Sequence, residues 1–514
     1  MRRVPWSRLV LIAFVIAAPA LVTSVLLTVQ ARATLFDHFS VWNDEIAYQH
    51  QIATFVRAGF GGGYYTADEQ TAPLSATHFS VHGPGFPVIY GSLGRLFGWH
   101  QYSGPLFNLF VLASATAIFL WIARPSHRQI AVAGIVLITS WWALMMAPLT
   151  MQESFHQSVM IVMAAFAARL LHPDTQRHGV LLLAALLILA VASVLRPTNW
   201  IVAVPLVAVA LARRPLFAAI ATVVAAAGIP AFWLLWRYLS APIPDLPIEL
   251  HEIAGVQGLT VILRRLVQQL PENLGTIFDL AAFRQQPFDQ HVMFEATVLA
   301  GIFGALVVFA AAEAFVRHAK KYADPRPGNL LFKVDLFNAL ALGLPLVAIL
   351  GFYYEVGSSI SRVTAPFVLL SLLVLAGTGA RTWIVFSAVA AQLLVAPSFV
   401  TKYREWLVPG YTYNRSAAEQ FQREISSLMP FAAGRGPWCN TLLINTYPPE
   451  IAFVPAGFGL TVGYNAEDLA MPVKSRYFLL ARKDAGPYGN QARLVPIGAT
   501  VVGSLYLNLD SACR

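Results

Sequence analysis

The chain has 514 residues, of which 57% are hydrophobic and only 12% charged, against a charged share of about 25% in ordinary soluble domains. A mean hydropathy of +0.61 and repeated apolar runs of about 20 residues exclude a water-soluble chain, and the lack of short alternating segments excludes a barrel. The net charge of +9 follows from basic residues at span ends, which orient a membrane protein, and not from affinity for nucleic acid.

Arg2, Arg3 and Arg8 precede an apolar run from Leu9 to Val29, which predicts a first span with a cytoplasmic N-terminus. Ala31-Arg32-Ala33 has the look of a cleavage site, but the run exceeds the ~7–15 residues of a signal-peptide core, so a retained span is predicted. Residues 31–103 then form an extracytoplasmic loop, followed by spans near 105–123, 130–149, 154–171, 179–195, 198–212 and 215–236. The basic connectors at 124–128, 176–178 and 213–214 fall inside. A second outer loop, 237–292, is broken by Pro242, Pro244 and Pro247 and carries a surface-lying amphipathic segment at Val261–Val267. After a span near 293–315, the most basic loop, Arg317 to Lys333, again falls inside. Spans near 336–353, 363–378 and 382–400 bring the total to about eleven.

The expected fold class is therefore an α-helical polytopic membrane protein of the plasma (inner) membrane, with residues 1–400 as its transmembrane domain. Residues 401–514 change character, with strand-like runs such as Thr441–Ile444 and Arg476–Leu480 between Pro, Gly and Asn. They predict a small α/β or mostly β domain outside the cytoplasm. Cys439 and Cys513 both fall in it, on the oxidising side, where a disulfide is expected and two unpaired thiols are the alternative. No CxxC or Cys/His zinc pattern exists.

The chemistry-bearing residues gather in a polar island, Phe36 to Gly98, between two long apolar runs. It opens with Trp42-Asn43-Asp44-Glu45-Ile46-Ala47-Tyr48. A helix over Asn43–Phe60 sets Asp44 and Tyr48 at i,i+4 on one face. A carboxylate fixed there, at the edge of low dielectric, suits a general base; the alternative is a pair of acids that only favour a helix N-terminus. Gly61-Gly62-Gly63 has neither a P-loop lysine nor a strand–helix context for nucleotides. Tyr64 and Tyr65 behind it suit stacking on a sugar or anchoring at the membrane interface.

An Asp-Glu pair and a Tyr just after the first span, with His82-Gly83-Pro84-Gly85-Phe86-Pro87 later and Leu96-Phe97-Gly98 closing the next helix, resembles GT-C membrane glycosyltransferases. More narrowly it is similar to bacterial members related to protein O-mannosyltransferases and the aminoarabinose transferase of lipid A. Gly83 stands where that family usually has Pro. Ser361-Arg362-Val363-Thr364-Ala365-Pro366 resembles a third family feature, with Val363 in place of an aromatic. The resemblance covers the membrane part in outline and leaves out the tail.

It implies a GT-C-like fold and transfer of a hexose or pentose from a polyprenyl-phosphate donor to a hydroxyl of a lipid, glycan or protein, with inversion. As the glycosidic C–O bond breaks, negative charge grows on the phosphate, and fixed cations stabilise it while a carboxylate activates the attacking hydroxyl. Arg196 and Arg362 lie at predicted outer ends of spans, where the positive-inside bias disfavours them; they are candidates for phosphate, with snorkelling to lipid as the alternative. Glu153 and His156 open the fourth span on the same side and are candidates to line the site. His82 is a candidate to contact the donor phosphate or order its loop. Asp44 is the first choice as base, with Glu45 as an alternative base or acceptor-orienting group and Tyr48 in support. No cofactor is expected; an Asp/Glu pair can hold a divalent metal, but no cluster favours one. The rival is a transporter or flippase of a lipid-linked sugar, which more often carries ionisable groups or broken helices at mid-span. Pro205 and Pro230 keep that rival open, and a non-catalytic scaffold is a third reading.

Overall fold

The computed structural model describes residues 5–61, 82–172, 175, 178–212, 215–240, 268, 312–313, 316, 330–352, 359–394, 396–433, 435–445, 448–462, 474–481 and 494–513. Tyr64, Tyr65, the Val261–Val267 segment, and most of the 293–315 span and 317–333 loop lie outside the described residues.

The helices are α1 Trp6–Ala31, α2 Asn43–Ala58, α3 Gly85–Phe97, α4 Ser103–Ala123, α5 His127–Thr139, α6 Trp141–Met146, α7 Glu153–Leu171 and α8 His178–Leu195. A 3-10 turn, Pro197–Val202, leads to α9 Ala203–Ala210 and α10 Pro215–Leu239. Then come α11 Leu330–Phe352, α12 Ser359–Thr378, α13 Thr382–Leu394, α14 Ala396–Tyr411 and α15 Arg415–Leu428.

Among the described residues six helices are long and apolar enough to cross a membrane, and a seventh if α13 and α14, bent by 62°, form one broken span. The chain is a multi-pass membrane protein. The predicted crossing at 130–149 is instead two short helices, because α5 ends at Ser140 and the chain turns into α6 and then a buried loop, 147–152. Likewise the 382–400 run breaks where Pro397, near the start of α14, removes a backbone donor. α14 then continues past residue 400 to Tyr411.

The bundle is organised around α7, buried along almost its whole length and packed chiefly on α4 and α12. Apolar association gains little in lipid, so close helix contact rests on small residues. Ala164, Ala165, Ala167 and Ala168 supply them on α7, and a Cβ on Gly377 would meet Ala168 and Phe119. The outer helices show the converse. Leu9, Val10, Phe14, Leu21 and Val25 of α1, and Val180, Leu183, Leu187 and Val191 of α8, are exposed apolar residues at helical spacing, as lipid-facing surfaces require.

At one end of the bundle Arg8 donates to the Pro125 carbonyl at 2.9 Å, and Arg381 pairs with Asp335 and Glu313. The other end carries α2, α3 and the start of α7. There α3 lies against α2 because Gly91 and Gly94 leave room for Phe55 and Val56. Arg95 of α3 donates to the Phe55 and Val56 carbonyls at 2.9 and 3.2 Å, at the end of α2, where the Phe55 carbonyl also accepts the Gly59 N–H.

The tail is a five-stranded mixed sheet, β1 Thr441–Ile444, β2 Gly459–Val462, β3 Tyr477–Ala481, β4 Leu494–Ala499 and β5 Gly503–Asn508, in the order β2-β1-β3-β5-β4. β1 pairs parallel with β2 and β3, while β5 is antiparallel to β3 and β4. Alternate residues Leu442, Ile444, Tyr477, Leu479 and Leu505 join Phe421 and Ile425 of α15 in one core, as period-2 strands and an amphipathic helix must. Cys439 and Cys513 are joined by a disulfide. Ile46 and Ala47 of α2 belong to this same core, so the tail sits directly on α2. Thr54 accepts from the Gly457 N–H at 3.3 Å, and Arg57 donates to the Ala456 carbonyl at 2.9 Å.

Gly91→Leu is expected to drive side-chain atoms into Phe55 and separate α2 from α3. Overpacking of this kind costs about 1–3 kcal/mol, read as a lowered thermal midpoint of the purified protein in detergent.

Candidate active site

Asp44 and Glu45 occupy the first turn of α2, where negative charge complements the helix dipole. The two side chains, a hundred degrees apart around the helix, meet different surroundings. Asp44 is about one-third exposed, 35%, and faces the loop before α3 and the start of α12. Its Oδ1 lies 3.5 Å from His82 Nε2, and its Oδ2 lies 3.4 Å from both terminal nitrogens of Arg362. Burial works to raise the Asp44 carboxyl, but His82 and Arg362 outweigh it and hold the group well below the usual carboxylate range. Asp44 is therefore ionised at neutral and mildly acid pH. Its contribution to folding is present above the unfolded carboxyl's ordinary pKa and is lost as pH falls toward its own.

Arg362 extends the site to a second acid. Its Nε lies 3.0 Å from Oε1 of Glu153, at the N-terminus of α7, and Arg196 Nη1 approaches the same oxygen at 3.9 Å. Glu153 is removed from water while both arginines keep partial exposure. Arg196 stands between α8 and the 3-10 turn, in an extended conformation imposed in part by the following Pro197. Tyr48 completes the floor: its ring centroid is 5.3 Å from that of His82, and burial together with Asp44 and Glu153 pushes its phenol well up. His156, one turn below Glu153, has its Nδ1 3.1 Å from Asn199 Nδ2.

The His82 loop explains the glycine in its motif. Gly83 has φ +74°, which proline, locked near −65°, does not adopt. A Cβ there would strike Trp236 of α10, whose indole donates to the His82 carbonyl at 3.2 Å. Gly85 likewise lies against Leu195, the last residue of α8. The loop is thus pressed onto α8 and α10, which turns His82 toward Asp44.

Asp44, Tyr48, His82, Glu153, Arg196 and Arg362 are thereby gathered at one end of the bundle. Among the described residues no group of three His, Cys, Asp or Glu side chains is placed to hold a metal. One turn along α12 from Arg362, Thr364, Ala365 and Val368 line a small groove with Trp142 and Val136.

The architecture has a solved counterpart. ArnT from Cupriavidus metallidurans, in a crystal structure bound to undecaprenyl phosphate, is similar over 98% of this chain and 98% of its own, with a TM-score of 0.51 and 12% identity. The chain has a GT-C fold. The archaeal oligosaccharyltransferase AglB from Archaeoglobus fulgidus, in complex with an inhibitory peptide and a dolichol-phosphate, is similar over 93% of this chain and 70% of its own, with a TM-score of 0.49 and 11% identity. No protein-family model and no curated protein matches the chain.

Within this GT-C fold Glu45 does not join Asp44. It is fully buried, and its Oε1 takes the Thr150 N–H at 2.6 Å and His38 Nε2 at 2.8 Å, while Oε2 takes the Val41 N–H at 3.2 Å. The other ring nitrogen of His38 meets the Gln101 carbonyl at 2.7 Å. Glu45 therefore ties α2 to the 147–152 loop that leads straight into Glu153. Asn108 and Tyr411 hold the same loop, donating to the Leu149 and Pro148 carbonyls at 2.5 and 2.7 Å. A buried irregular segment needs such partners for its backbone. His38, Asn108, Asn199 and Tyr411 escaped the sequence reading. Only His38 offered a signal, as a polar residue inside the island; the others sit in apolar helices or among ordinary boundary aromatics.

Glu45→Gln leaves His38 without its buried carboxylate, and losing one partner of such a pair costs about 3–5 kcal/mol. Asp44→Asn removes a partly exposed pairing and is expected to cost under about 1 kcal/mol. Thermal melts of the two variants in detergent should therefore differ widely, with Glu45→Gln the lower.

Proposed function

We propose that this protein is an integral-membrane glycosyltransferase that moves a sugar from a polyprenyl-phosphate donor to a hydroxyl acceptor outside the cytoplasm, with inversion. One observation carries the reading: a part-exposed carboxylate, Asp44, shares Arg362 with the buried Glu153, and Arg196 approaches the same Glu153 oxygen. This arrangement offers a base and two cations within one small volume at the end of a lipid-exposed bundle.

In the proposed reaction Arg362 and Arg196 receive the donor phosphate, and the groove beside Thr364 and Ala365 takes the start of the prenyl chain. The ArnT structure of the same fold holds a ligand of this chemical class, undecaprenyl phosphate. The acceptor oxygen attacks the anomeric carbon, the bond from that carbon to the phosphate oxygen breaks, and the electron pair leaves with the phosphate. The proton of the acceptor hydroxyl passes to Asp44. Before the donor arrives, Asp44 is paired so strongly that it is a poor base. A phosphate drawing Arg362 to itself removes one of the two groups that hold the carboxyl ionised, and basicity rises once the donor is seated. The cations of the site are guanidinium groups, so a chelator is expected to leave transfer unchanged.

Transfer of radiolabelled sugar from a panel of polyprenyl-phosphate sugars to lipid, glycan and protein acceptors tests the reading. Asp44→Asn should lower the rate by about 10²–10⁴-fold with donor binding kept, while Arg362→Ala should weaken donor binding. In Arg362→Ala the remaining Asp44 carboxyl rises in pKa, so the acid limb of the residual activity moves to higher pH. A wild-type protein that carries labelled lipid across vesicles and transfers nothing would replace the enzyme with a transporter.

A further inference from the structure

One turn below the ionic cluster, α7 and the 196–202 turn meet in a second rung. Glu153 faces Arg196, and three residues on His156 faces Asn199. The amide of Asn199 has a fixed orientation, because its Nδ2 lies 2.9 Å from the Ala192 carbonyl, an atom that only accepts. The same nitrogen lies 3.1 Å from His156 Nδ1. An amide NH2 donates and does not accept, so Nδ1 of His156 is the acceptor and carries no proton. The ring proton is then on Nε2.

That Nε2 is buried, on a residue only 1% exposed, and meets no hydrogen-bond partner among the described residues. An N–H left unanswered in a buried site costs about 1–3 kcal/mol; here it lies on α7 one turn from Glu153, the acid that both arginines approach. Its depth selects its ligand. The step from Glu153 to His156 is about 4.5 Å along the axis, from the bundle end toward the bilayer interior. In a polyprenyl-phosphate sugar the prenyl chain leads inward and the sugar faces water. A donor group one turn inward from the acid that the arginines approach is therefore placed for the inner side of the phosphate and not the sugar.

We infer that Asn199 holds His156 as its Nε2–H tautomer, and that His156 donates a hydrogen bond to a phosphate oxygen of the lipid donor, giving the phosphate a third contact besides Arg196 and Arg362. The inference rests on the donor reading above and adds to it a binding residue, His156, and a positioning residue, Asn199.

Binding of two probes to the purified full-length protein, polyprenyl phosphate without sugar and polyprenyl-phosphate hexose, tests it. His156→Phe is expected to raise Kd for both probes equally, by about tenfold or more, the scale of one hydrogen bond to a charged group. His156→Gln, which keeps an N–H at the ε position, is expected to retain wild-type Kd. Wild-type binding by His156→Phe, alongside the loss caused by Arg362→Ala, overturns the inference and leaves the donor reading standing. A loss confined to the hexose probe places the contact on the sugar and overturns it too. Equal losses in His156→Gln and His156→Phe remove the hydrogen-bond role. If the wild type binds neither probe, the donor reading itself falls, and this inference with it.

Discussion

A carboxylate taken out of water must be answered by fixed donors or by cations, and two such carboxylates govern the end of this bundle. Glu45 and Glu153 are both removed from solvent, and they are answered in different ways. Glu45 draws on peptide N–H groups and His38, all supplied by its own domain. Glu153 draws on two arginines that keep access to water. The first arrangement is closed and serves geometry, since it locks α2 to the loop that begins α7. The second is open, because Arg362 divides itself between Glu153 and Asp44 and keeps access to water. The closed arrangement thus holds the open one in register.

Much of this architecture was legible in the residues. Apolar length and the distribution of Arg and Lys indicated a helical membrane protein, and the turn-rich final stretch indicated a separate sheet-bearing tail. The positive-inside bias singled out Arg196 and Arg362, since an arginine on the disfavoured side needs a reason to be there. Those two, with Asp44, His82 and Glu153, converge across more than 300 residues of sequence, Asp44 and Arg362 being 318 apart. The crossing count was less legible. Hydropathy measures whether a segment tolerates lipid and says little of where it turns, so Ser140 and Pro397 broke runs that looked continuous.

Local pattern also fell short between neighbours. Asp44 and Glu45 are adjacent acids of the same type, and helical periodicity says that they diverge without saying which direction holds the site. The difference lies in the partners, and these come from distant segments: Arg362 for one, Thr150 and His38 for the other. Gly83 gives the opposite lesson. It looked like a departure from a stiff proline motif, yet its left-handed backbone and the indole packed against it make the glycine a requirement of this loop.

The helix that carries Asp44 has one further property. α2 contributes Tyr48 and Ile52 to the core at the bundle end, and Ile46 and Ala47 to the core of the tail. Arg57 reaches a carbonyl 399 residues later, and Trp42 one 364 residues later. Contacts so distant in sequence form late. During synthesis α2 is made long before its partners exist, and it must wait, half-covered, until the sheet has been made. The setting of α2 thereby waits on the sheet. A nascent chain stalled before the tail would carry Asp44 and its arginines without the wall that sets α2 in place.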